Sequence, residues 1–151
     1  MAGAVSLSGR ISYIARDGVT RADSGARILI LPEKRQGTAL LSIEGFRNGA
    51  QAADLQLAQE SLRLLGGAYA IADDGGRYQA TLNSGGVYDV LIVSRHQSRD
   101  GRPALPAEVD RILGSYFDRP RLLIGQTQFH FSRLRYHGHE PELRDHVFVA
   151  G

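Results

Sequence analysis

Apolar and polar positions alternate along this chain with two different periods, and the switches between them outline its elements. In "SLSGRISYIAR", Ser6–Arg16, the apolar residues Leu7, Ile11, Tyr13 and Ala15 form one face. This predicts a strand, with a one-residue slip at a bulge near Gly9. The turn-rich "DGVTRADSG" leads into "ARILILP", where Ala26, Ile28 and Ile30 lie on one face and Leu29 and Leu31 on the other. Pro32 ends that strand or marks a sheet edge. Glu33–Asn48 is less regular, with a short strand expected at "TALLSIEGF". The period then lengthens. Leu55, Ala58, Leu62 and Leu65 recur at helical spacing, flanked by Leu57, Ser61 and Leu64, and Gly66-Gly67 supplies a stop. A helix is predicted over about residues 52–65.

Period two returns in the second half. "AYAIA" reads as a short strand, "RYQATL" alternates cleanly with Tyr78, Ala80 and Leu82 inward, and "VYDVLIVSR" is the most apolar and central strand. The clusters "DDGG" and "NSGG" are the turns around "RYQATL". "HQSRDGRP" reads as a polar loop. Val109, Ile112, Leu113, Tyr116 and Phe117 then predict a second helix, about 106–117, with Pro106 in its first turn. "LLIG" and "QTQFHFSRLRY" read as one or two strands, and "HVFVA" as a short last one.

The glycines raise a chemical question. A phosphate-cradling loop leads from a strand into a helix N-terminus. Here both clusters lead into alternating strands, and no Lys-Ser or Lys-Thr pair follows. Gly75, Gly76 and Gly86 are therefore expected to be structural, giving turns their positive φ. The succession of turn acids, "GRYQATL", Gly-Gly and "GVYDVLIVS", after an opening "LSGRISY…DGV…SGARILILP", resembles the carboxypeptidase regulatory-like family within the transthyretin-like (prealbumin-like) β-sandwiches. It spans about Ser8–Pro32 and Asp73–Ser94. The resemblance implies a mostly-β, antiparallel sandwich, here decorated with two helices. One domain, 1–151, would carry a helical insertion at about 33–72 and a C-terminal extension after residue 95. Tyr88, in Gly86-Val87-Tyr88, is expected to bury its ring at a sandwich corner while its hydroxyl bonds nearby backbone. The function implied is a non-catalytic accessory or interaction module of a larger bacterial protein, an exported one included, with a protein partner or a neighbouring domain of the same chain.

Composition narrows this picture. The chain of 151 residues is 42% hydrophobic, enough for one sizeable core. It has no Cys, so disulfides and thiolate chemistry are excluded. Net charge is only +2, and the arginines are scattered rather than clustered, unlike a nucleic-acid binder. "MAGAVSLSGR" lacks a signal-peptide pattern, and no run reaches the ~18 apolar residues of a membrane helix, so no direct membrane insertion is expected. The compartment stays open.

Candidate chemistry concentrates in the last quarter. His137-Gly138-His139 would face one way on a strand, and with His130, or with His146 folded back, would offer three nitrogens to Zn²⁺ or Cu²⁺. The alternative function is accordingly a small metal- or ligand-binding domain using this His-rich segment; otherwise no cofactor is expected. Nucleophilic catalysis lacks a Gly-x-Ser-x-Gly elbow. The transthyretin-like hydroxyisourate hydrolases end in Tyr-Arg-Gly-Ser, against Tyr136-His137-Gly138-His139 here, and carry an early His where this chain has none before His96. Hydrolase activity is therefore disfavoured. Asp73-Asp74 with Asp89 lack a calcium-loop spacing.

Overall fold

The computed structural model describes residues 5–34, 37–99, 105–138 and 140–149. In chain order, the elements are β1 (Leu7–Ile14), β2 (Thr20–Ala22), β3 (Arg27–Pro32), a 3₁₀ turn (Glu44–Phe46), α1 (Ala52–Leu64), β4 (Ala68–Ile71), β5 (Arg77–Ala80), β6 (Gly86–Ser98), α2 (Ala107–Gly114), α3 (Pro120–Ile124), β7 (Thr127–Tyr136), β8 (Glu142–Leu143) and β9 (His146–Val149). Among the described residues the molecule is mostly β, with two sheets and three short helices.

The two most apolar stretches pair at its centre. β3 and β6 run antiparallel with Leu29 opposite Leu91 and Ile30 opposite Val90. β4 and β7 complete this sheet in the order β4-β3-β6-β7, antiparallel throughout. Because both faces of β3 are covered, all six of its residues are buried. Ile28, Ile30, Val90 and Ile92 face the second sheet, meeting Leu7, Ile11, Tyr78 and Phe148. Leu29, Leu31, Leu91 and Val93 face the helices, meeting Phe46, Leu62, Leu113 and Phe117.

The second sheet is built on β1, flanked by β2 and β5, both antiparallel. β8 and β9 also join β1, but in parallel. The expectation of a wholly antiparallel sandwich is corrected here. The C-terminal segment returns along β1's open side in the same direction, so it is part of the sheet rather than an appendage. The expected bulge at Gly9 is also absent. Leu7, Gly9 and Ile11 all point inward in strict alternation, and the register with β5 is unbroken from Leu7 to Arg10. A glycine is needed there for space, since a Cβ would collide with the Arg144 carbonyl as the C-terminal segment crosses.

Other expectations move locally. "TALLSIEGF" forms a single bridge, Leu41 to Phe117, and then the 3₁₀ turn, not a strand. The supposed insertion 33–72 includes β4, which pairs with β3. α1 ends at Leu64, close to expectation. The helix predicted over 106–117 ends at Gly114, and Pro106 is its N-cap rather than a first-turn residue. The "LLI" of "LLIG" lies in α3, where Leu123 and Ile124 are buried in the helix-side core. β6 runs on to Ser98, through the start of the expected polar loop.

Candidate functional site

Tyr88, expected at a sandwich corner, lies near the start of β6. It is 3% exposed within the core between the sheets, and its hydroxyl donates to the Ser84 carbonyl at 2.6 Å. Gly76 has φ +78° and Gly86 φ +154°, both closed to ordinary side chains. Gly75 does not, which corrects its assignment as a positive-φ residue.

The predicted histidines do not all come together. His130 lies on β7, and His137 follows the last residue of that strand, roughly 20 Å further on at ~3.3 Å per residue. His139 lies outside the described residues. His130 instead stacks on His146 of β9, with ring centroids 4.2 Å apart and planes 21° from parallel. That pairing joins an edge of one sheet to a strand of the other. Partial burial holds both imidazoles below the usual histidine range, with Arg144 adding to the effect at His130 and His130 adding at His146. Among the described residues, no three His, Asp or Glu side chains group as metal ligands.

Several buried polar groups pin the framework. Asp23 is fully buried and accepts from Ser94 Oγ at 2.5 Å and from the backbone N–H groups of Arg95 and His96 at 3.0 and 3.1 Å. Tyr78 donates to the Arg144 carbonyl at 2.7 Å, and burial pushes its hydroxyl up to about 12. Asp89, on the helix side of β6, is buried with Arg133 at 3.8 Å. Burial raises its carboxyl above the usual range.

Two further features open at the surface. The first is the outward side of α1. Ala58 and Leu62 of the predicted stripe are buried and Leu55 packs against the same core. Leu57 and Leu64, seven residues apart and so on one helical face, are 66% and 72% exposed. Leu57 also lines a groove of about 290 Å³ with Leu40, Leu41 and Phe46, bordered by Glu44 and Asp54.

The second is a basic cleft that sequence spacing did not reveal, because its residues come from distant segments. Arg27, at the start of β3, turns toward the helix side and is 6% exposed. Its Nη1 donates to the carbonyls of Phe46 at 2.6 Å and Leu123 at 2.9 Å, tying the 3₁₀ turn to α3. Burial lowers its basicity, offset in part by Tyr69, and the charges of Arg47 and Arg95 lower it further. Two cavities, of about 160 and 210 Å³, share Arg27, Arg47 and Asn48. Arg95, Leu55 and Ile71 line the smaller, and Ser94, Gln126 and Thr127 the larger.

No protein-family model and no curated protein sequence matches this chain. Among solved structures, a crystal structure from Pseudomonas aeruginosa, described as that of "a putative carbohydrate binding protein", is similar over 97% of this chain and 88% of its own, with 9% sequence identity and a TM-score of 0.47.

Proposed function

We propose that this chain is a non-catalytic interaction module, a β-sandwich of the transthyretin-like, carboxypeptidase-regulatory type, that docks a protein partner or a neighbouring domain on the outer face of α1. The observation that carries this reading is the exposure of Leu57 and Leu64 on one side of a helix whose other side already serves the core. Exposed leucines gain nothing from folding, whereas burying each against a partner is worth roughly 1.5–3 kcal/mol. Apolar residues grouped beside a groove mark interaction surfaces more often than scattered ones do. The carboxylates of Glu44 and Asp54 on the groove border suit an apolar anchor flanked by basic residues.

Site-specific photocrosslinking in the host tests the proposal. A photoreactive residue at Leu57 is expected to give a discrete adduct that disappears when Leu64→Glu is added. The same probe at Arg21, on the other sheet, is expected to give none. Equal adducts from both positions, or an adduct indifferent to Leu64→Glu, would refute docking on this face.

A further inference from the structure

The basic cleft is a second, independent feature, and its electrostatics are incomplete as the chain stands. A buried guanidinium is costly unless an opposite charge or a full set of acceptors offsets it. Arg27 has two carbonyl acceptors, both on Nη1. Among the described residues, its Nε and Nη2 have no hydrogen-bond acceptor, yet they are not sealed off as the Nη1 of Arg99 is. They belong to a side chain that lines both cavities.

The surroundings deepen the deficit. Neither cavity is lined by a described Asp or Glu. Arg95 has no acidic partner among the described residues, and Arg47 has only Glu44 at 3.8 Å, a carboxylate that lies closer to Arg119, at 3.1 Å. Three cationic side chains thus converge where like charges repel one another; the polar groups beside them are the Asn48 amide, Gln126, Thr127, backbone and the Ser94 hydroxyl, which already donates to Asp23 behind the cleft.

We propose that this cleft binds a carboxylate carried on a short aliphatic stem, with Arg27, Arg47 and Arg95 around the carboxylate and Leu55 and Ile71 along the stem. The planar fork of arginine matches the two oxygens of a carboxylate. The apolar wall distinguishes a carbon-bearing ligand from inorganic phosphate, which has nothing to place there. The smaller cavity, about 160 Å³, fits a ligand of a few heavy atoms rather than an extended polymer. A free short-chain acid and an aliphatic C-terminal residue of a peptide share this chemistry.

Titration calorimetry on the whole chain, with arginine side-chain Nε–H resonances followed by NMR, tests the site. Pentanoate is the probe, pentanamide its neutral control, and acetate and inorganic phosphate its stemless controls. N-acetyl-leucine and N-acetyl-leucinamide represent the peptide terminus. Pentanoate or N-acetyl-leucine is expected to bind and to shift the Arg27 Nε–H signal. The amides are expected not to bind, and acetate to bind at least about tenfold more weakly than pentanoate, since each buried CH₂ favours binding. Arg95→Ala and Arg47→Ala, both at exposed positions, are each expected to weaken binding about tenfold or more. Arg77→Ala, at an exposed position on β5 outside the cleft, is expected to leave it unchanged. Binding of pentanoate without N-acetyl-leucine assigns the site to free acids, and the reverse to peptide termini. Equal affinity for acid and amide, phosphate binding without either acid, or equal effects of Arg95→Ala and Arg77→Ala would overturn the proposal. None of these outcomes touches the α1 face, so the two readings fail separately.

Discussion

Truncating Tyr88 tests the fold and the sequence reading together. The residue is 3% exposed, in the core between the two sheets with Leu134 and Tyr136. Deleting a buried aromatic side chain costs about 3–5 kcal/mol, transfer and cavity terms combined. Tyr88→Ala is therefore expected to fall in that range. Tyr88→Phe keeps the ring and removes only the 2.6 Å bond to the Ser84 carbonyl. Ser84 is exposed, so water can replace the lost donor, and the cost should stay near about 1 kcal/mol. For a domain of this size, 1 kcal/mol moves Tm by roughly 2–4 °C, which separates the two variants widely. Urea denaturation followed by circular dichroism would give both values, with the slope against urea unchanged if the surface exposed on unfolding is the same. A near-neutral Tyr88→Ala, or a Tyr88→Phe as damaging as Tyr88→Ala, would refute the corner argument.

Two further changes probe a turn glycine and a buried carboxyl. Gly76→Ala, at φ +78° and with its Cβ directed into the Ile11 carbonyl, should cost at least about 2 kcal/mol in the same assay, while Gly75→Ala, whose Cβ meets only Asp73 Oδ1 at 3.5 Å, should be near neutral. Asp89→Asn tests a pH dependence. Burial first, then Glu33 and Glu108, raise the Asp89 carboxyl against the opposing pull of Arg133 and Arg111, so the folded state binds this proton more tightly than the unfolded chain does. Ionised Asp89 thus costs stability at neutral pH, and that cost disappears as pH falls below the ordinary aspartate value of about 3.9. Asp89→Asn should melt higher than the parent at pH 7 and lose its advantage near pH 3; a lower Tm at pH 7 would contradict the assignment.

Much of this architecture was legible along the chain because it depends on local period. The alternation of Tyr78, Ala80 and Leu82, the continuous apolar run of β6 and the helical spacing of Leu55, Ala58 and Leu62 each require one kind of backbone to bury one face. Tyr88 and the Gly76 and Gly86 turns were legible for the same reason, since a turn and the strand after it constrain only neighbours. Short apolar runs were not. "LLI" before Gly125 suits a strand or a helix equally, and the burial of Leu123 and Ile124 in the helix-side core, with Pro120 opening the turn, selects the helix. The need for glycine at position 9 was not legible either, because the Arg144 carbonyl that crosses above it lies 135 residues away. Pairing across the sheets was equally invisible: His130 meets His146 because β9 lies along β1, whereas His137 is close in sequence but distant along an extended strand. The cleft depends wholly on this level. Arg27, Arg47 and Arg95 look like three unrelated cations in the sequence, and only the antiparallel pairing of β3 with β6 and the 3₁₀ turn folded over them place the three charges together. Local periodicity determines which backbone each segment adopts; charge convergence depends on which segments become neighbours, and long-range pairing alone decides that.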